Sequence, residues 1–329
     1  MTSKTTNCLS TNWIISVTQE HHQDLSEQLI TIGDFIRYAT SEFNRADLYF
    51  GHGSDNAWDE AITLIMYALE LPNALTEHVM QCRLTRDEKL HCLSLIERRV
   101  TEQIPVSYIT NQANFAGLPF YVDERVLVPR SPIGEWIEKR FEPLVAPDKE
   151  VSRILDLCTG SGCIAIACAH YFPEAEVDAL DLSLDALEVA QINIENHGLS
   201  EQVIPIQSDI FSSIPEQKYD LIVTNPPYVD QEDVDNLPQE YLHEPEMGLG
   251  SGPDGLDITR VILAQAAEHL NENGILVCEV GNSMVHLEAA YPEVDFQWLS
   301  FERGGHGVFF ITKEQLEQFQ TIFEERVKR

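Results

Sequence analysis

"ILDLCTGSGCIAIA", residues 154 to 167, decides the fold. Ile154 to Leu157 reads as a buried strand. A turn follows, Thr159-Gly160-Ser161-Gly162, and then an apolar helix from Ile164 to Tyr171. Strand, tight turn and helix form the first unit of a parallel α/β sheet, and such turns hold ligands. Gly160 and Gly162 permit the tight turn and a close backbone approach to a ligand. The third glycine of a dinucleotide fingerprint is missing, with Ile164 and Ala165 following Gly162 instead. Asp156 stands at the strand–turn junction. A carboxylate there repels a pyrophosphate and suits a cationic ligand without phosphate.

Outward from this stretch, strands and helices alternate. Strands are expected at Glu176 to Leu180, Val203 to Gln207, Leu221 to Thr224 and Ile275 to Glu279. Helices are expected from a Ser183 cap to Gly198, from Asp257 to Leu270, and from about Ser283 to Ala290. That alternation predicts a mainly parallel sheet covered on both faces. "VDFQWLSF" and "GVFFIT" predict an antiparallel hairpin at one edge, and Lys313 to Arg329 predicts a solvated helix.

Acids recur at the carboxyl ends of successive strands. Asp181 ends the second, where it can accept both hydroxyls of a ribose; Asp209 follows the third. Asp209 suits the exocyclic amine of an adenine, with Ile210 and Phe211 as apolar cover. A nucleoside that carries a positive centre instead of phosphates is S-adenosylmethionine.

"NPPY", Asn225 to Tyr228, follows the fourth strand. Pro226 and Pro227 remove two backbone donors and fix two φ angles, so the segment neither pairs as sheet nor winds as helix. It offers carbonyl oxygens, one amide side chain and one aromatic ring. A planar NH₂ group is a poor nucleophile because its lone pair is delocalised. The Asn225 side-chain oxygen and the Pro226 carbonyl can each accept one of its N–H bonds, with Tyr228 stacked on its face. The gain comes from orientation and electrostatics. A glutamine amide and a nucleobase amine both satisfy this logic.

Charge separates them. The chain has 329 residues, 54 acidic against 21 basic, and a net charge of −33. That field repels nucleic-acid phosphates and attracts basic partners. No basic patch for a direct nucleic-acid grip is visible. No apolar run is long enough to span a membrane. The N-terminal stretch lacks a signal peptide's pattern, so a cytoplasmic location is expected. Seven cysteines without a Cys-x-x-Cys pair suggest small buried thiols, with no disulfide framework and no metal site.

Residues 1–105 read as a helical bundle. One stripe is Ile32, Phe35, Ile36, Ala39 and Phe43. A second, after an Asp55-Asn56 cap, carries Trp58, Ala61, Ile62, Ile65 and Leu69 on one side. A third follows the capping box Thr85-x-x-Glu88. Residues 106–150 hold a hairpin around Gly117 and a linker. Residues 151–312 form the sheet domain, and 313–329 a terminal helix or tail.

Asp156, Gly160, Gly162, Asp181 and Asp209 together resemble the cofactor site of the seven-stranded class I (Rossmann-like) methyltransferases. Cys158 departs from that family's commonest pattern, which has glycine there. With the helical N-terminal domain, the hairpin and "NPPY", the chain resembles the protein-glutamine methyltransferases of the HemK/PrmC group over all but about the first 20 and last 15 residues. "FGHGSDNAWDEA" (50–61), "VLVPRSPIGE" (126–135) and "SGPDGLDITR" (251–260) place it with members that act on a ribosomal protein. Release-factor enzymes usually read "PRP-x-T-E" where this chain has "PRSPIGE", and tend to an aromatic where Ile210 stands. The resemblance implies methyl transfer from S-adenosylmethionine to a glutamine side chain of a basic protein of the large ribosomal subunit. Release factors and nucleobases are the alternative acceptors. It implies Asn225, Pro226, Pro227 and Tyr228 as catalytic residues. Asp156, Thr159, Gly160, Ser161, Gly162, Asp181, Asp209, Ile210 and Asn225 would hold the cofactor, and the N-terminal bundle would select the partner. Arg130 and Glu244 are weaker candidates for shaping the pocket.

Overall fold

The computed structural model describes residues 21–146, 149–214 and 216–327. Cys8, the N-terminal stretch to residue 20, residues 147 and 148 of the expected linker, and residues 328 and 329 of the tail lie outside the described residues. The chain divides into two compact units, the first ending at Thr110 and the second starting at Asn111.

The first unit is helical. After a helix over 21–28 come α1 (Ile32–Arg45), α2 (Ala57–Ala68) and α3 (Arg86–Thr101). Side chains define their starts. Thr31 and Asp34 form a capping box on α1, Asn56 caps α2, and Thr85 with Glu88 forms a second box on α3. The α1 stripe is entirely buried. Trp58 departs from expectation: it is 40% exposed, because Ala57, Glu60, Ala61, Leu64 and Ile65 form the inward face of α2. Glu60 belongs to that face because its carboxylate pairs with the fully buried Arg99 at 2.9 Å. Cys82 also departs, being exposed, whereas Cys92, Cys168 and Cys278 are buried.

The second unit opens with the hairpin β1 (Ala113–Phe115) and β2 (Leu118–Phe120), turned by Ala116 and Gly117, both at positive φ. The main sheet contains β3 (Arg153–Leu157), β4 (Glu176–Asp181), β5 (Val203–Gln207), β6 (Tyr219–Thr224), β7 (Leu270–Glu279), β8 (Gln297–Trp298) and β9 (Val308–Thr312). Their order is β5-β4-β3-β6-β7-β9-β8, parallel from β5 to β7 and antiparallel at β9 and β8. This is the seven-stranded mixed sheet of a class I methyltransferase.

The helices are α4 (Cys163–Tyr171), α5 (Leu184–Asn196), α6 (Asp257–His269), α7 (Met284–Ala290) and α8 (Lys313–Val327). The pleat sends alternate residues to opposite faces. Ile154 joins α4 in one core, while Leu155 and Leu157 join α6 in the other. Strands buried on both sides read as continuous apolar runs, which is why β3 and β6 were legible.

The C-terminal helix is solvated on one face only. In α8, Leu316 and Phe323 are fully buried against α6 and β7, and Phe323 meets Tyr291 edge-on at 5.3 Å. A charge-rich sequence concealed two anchors seven residues apart, two turns along one face.

Candidate active site

Strand register assembles the site. Leu157 of β3 pairs with Thr224 of β6, and Thr224 pairs with Cys278 of β7. The next residues are therefore side by side at one edge: the Gly-rich turn, Asn225, and Glu279. The switch point of the order lies here, between β3 and β6, where open α/β sheets bind ligands.

The turn is built on Asp156. Its carboxylate is buried; Oδ2 accepts from Thr159 Oγ1 at 2.5 Å and from the Ala165 amide at 3.0 Å. Burial pushes its pKa up to about 7. Oδ1 is buried without a protein partner. Cys158, where the family pattern has glycine, takes φ 58° and so adopts the left-handed conformation that glycine would. Gly160 and Gly162 have φ 55° and 79°. They differ in surroundings. A methyl on Gly160 meets no protein atom within 4 Å, whereas one on Gly162 meets the Ala190 Cβ at 3.2 Å. Gly162 serves the packing of α4 on α5, and Gly160 leaves a cradle over bare backbone. Ser161 is buried, and its carbonyl accepts from Asn193 Nδ2 at 2.8 Å. The same Asn193 amide bonds both backbone groups of Tyr121. Nothing in the local sequence marks Asn193 for this role.

Asp181 is half-occupied by structure. Oδ2 accepts from the Gly160 amide and Oδ1 from the Ser183 amide, each at 2.9 Å. Burial raises its pKa while these amides oppose the rise. Asp209 is exposed, and Ile210 takes φ 49°. Phe211, expected as cover for a base, is instead core: it is buried and stacks on His269 at 4.5 Å.

Pro226 and Pro227 are buried; Asn225 is half-buried with Oδ1 buried and unpartnered. Tyr228 is fixed at several points. Its hydroxyl donates to Glu279 Oε1 at 3.0 Å, and its carbonyl accepts from Ser283 Oγ at 2.7 Å. Its ring lies so close to Gly281 that a Cβ there would come within 2.4 Å of it. The Glu279 charge and burial hold the phenol well above its ordinary pKa.

Arg130 and Glu244 meet in a fork: Nη1 to Oε1 at 2.5 Å and Nη2 to Oε2 at 2.7 Å. Glu244 also accepts from the Val128 amide, and Arg130 lies over Tyr241 at 5.3 Å. The pair ties the "PRS" loop to the segment after "NPPY". Glu279 and Ser131, which sequence reading did not select, complete this cluster.

A family model described as methyltransferase small domain matches residues 144–254. The chain is 53% identical to the ribosomal protein uL3 glutamine methyltransferase of Neisseria gonorrhoeae, over 88% of this chain and 97% of that one. It belongs to that family. The enzyme of the same description from Neisseria meningitidis is 52% identical over 88% of this chain and 96% of its own length. A solved methyltransferase from Pyrococcus furiosus is a distant likeness, 19% identical with a TM-score of 0.43, covering 60% of this chain and 89% of that one. The chain is thus a protein-glutamine methyltransferase, and its own sheet order carries the fold assignment.

Proposed function

We infer that this enzyme transfers a methyl group from S-adenosylmethionine to the side-chain amide nitrogen of a glutamine in ribosomal protein uL3. One observation carries the acceptor chemistry: a buried, unpartnered Asn225 Oδ1 beside the Gly-rich turn. A buried amide oxygen without a partner costs free energy, and an incoming N–H restores it.

The residues present fit the cofactor. The Gly160 cradle admits a ligand against bare backbone, and the carboxylates of buried Asp156 and half-buried Asp181 disfavour phosphate. Bound there, S-adenosylmethionine supplies an electrophilic methyl on sulfur. The turn Thr159 to Gly162 would hold it, with Asp181 toward the ribose and Asp209 and Ile210 toward the base. Asn225 Oδ1 and the Pro226 carbonyl hold the two N–H bonds of the acceptor amide. Pro227 keeps that carbonyl fixed, and Tyr228 lies along the amide plane. These groups turn a weak lone pair toward the donor, so orientation supplies most of the rate. No strong base is needed, because the nitrogen sheds its proton once it is cationic.

The net charge of −33 favours a basic acceptor such as a ribosomal protein. Selection of that partner falls to the first unit. Ribosome assembly sets the reaction in the cytoplasm; among the described residues, no helix is long and apolar enough to cross a membrane.

Purified uL3, a release factor and ribosomal RNA, each incubated with methyl-labelled donor, test the reading. Label enters uL3, and one glutamine peptide gains about 14 Da, the mass of a CH₂. Asn225→Ala lowers kcat about 100-fold, the usual scale for losing one oriented group at the reacting centre. Label on the release factor or the RNA, with none on uL3, overturns the reading.

A further inference from the structure

We propose that Glu279 is a positioning residue, which holds Tyr228 for the acceptor amide and links it to the "PRS" loop through Ser131. The inference rests on the functional reading above. Glu279 ends β7, one residue past Cys278, and so lies beside Asn225, one residue past Thr224. Its side chain is buried. Each oxygen takes one donor: Oε1 from the Tyr228 hydroxyl at 3.0 Å, Oε2 from the Ser131 hydroxyl at 2.5 Å. Both donors come from segments that the sequence singles out, "NPPY" and "PRSPIGE".

Burying a carboxylate is costly, and a core position at a strand end is ordinarily filled more cheaply by an apolar residue. The cost is offset here by two hydroxyl donors and the nearby Arg130 charge, all of which lower the raised pKa that burial imposes. The neighbouring chain serves the same ring. Gly281, at φ 46°, leaves room for the Tyr228 face, and Ser283 holds its carbonyl. Residues 279–283 therefore grip Tyr228 at its hydroxyl, its ring and its backbone. Ser131 Oγ also accepts from the Ile133 amide, so the start of the helix Ile133–Glu138 is fastened to the same carboxylate. Movement of that loop reaches the aromatic ring through one residue.

Positioning by hydrogen bonds predicts a particular pattern of losses. Glu279→Leu removes the acceptor and lowers kcat about tenfold, with KM for the donor within about twofold. Tyr228→Phe removes the hydroxyl and does the same. The double variant is no slower than Glu279→Leu alone, because that substitution has already removed the contact that Tyr228→Phe removes. Glu279→Gln stays within about threefold of the parent, since an amide can accept from the phenol and donate to the Ser131 oxygen. Losses that multiply in the double variant overturn the proposal, as does Glu279→Gln being as slow as Glu279→Leu, or a loss confined to KM. Crystals of Glu279→Leu give a readout independent of the acceptor: the Tyr228 ring shifts, and an unmoved ring overturns the proposal. A parent enzyme that leaves uL3 unlabelled refutes the functional reading; labelled uL3 with multiplying losses refutes only the role of Glu279.

Discussion

Gly160→Ala and Gly162→Ala should separate ligand binding from packing within one turn. Both positions have positive φ, so an alanine at either costs about 1–2 kcal/mol of backbone strain. At Gly160 the cost ends there, because the new methyl meets no protein atom within 4 Å. At Gly162 the methyl meets Ala190 at its Cβ (3.2 Å) and at its backbone Cα (3.4 Å). Those atoms belong to α5 and yield only if the helix moves, which adds about 1–3 kcal/mol of overpacking. Gly162→Ala should therefore be the less stable variant by roughly that increment in urea denaturation. Calorimetric titration with S-adenosylmethionine should rank them the other way. Gly160→Ala stays folded but binds the donor at least about tenfold more weakly, because its methyl fills the cradle. If Gly160→Ala binds like the parent, or if both variants lose the same stability, the division of labour between the two glycines is wrong.

Phe323→Ala should cost about 3–5 kcal/mol in urea denaturation, because it empties a fully buried site under α8; a loss under 1 kcal/mol would restore the solvated-helix view. Glu60→Ala should destabilise the first unit by about 3 kcal/mol, since it leaves the Arg99 guanidinium buried with less compensation; thermal unfolding of the intact chain reads it. Glu135 accepts from the Glu302 and Arg303 amides, which lower its pKa from 4.5 to about 2. The unfolded chain therefore binds the proton first as pH falls, so the stability from Glu135 is complete above about pH 4.5 and is lost by about pH 2. Glu135→Gln should be less stable than the parent at pH 6 and equal to it near pH 2; a gap that persists at pH 2 would refute the assignment.

Local pattern determined most of this protein. The β3–turn–α4 unit, the alternation after it and the capping boxes at Thr31 and Thr85 follow from nearest-neighbour chemistry: glycine's freedom, proline's missing donor, and side-chain oxygens that cap helices. The acids at strand ends and "NPPY" were visible for the same reason. Tertiary structure decided the rest. It turned Trp58 outward, buried Phe211 and Phe323, and paired Arg130 with Glu244 across 114 residues of chain. It also brought Ser131, Tyr228 and Glu279 together from three separate segments. Those choices depend on strand register and on which helix face finds a partner. Both are settled by long-range burial, which no short stretch of sequence encodes.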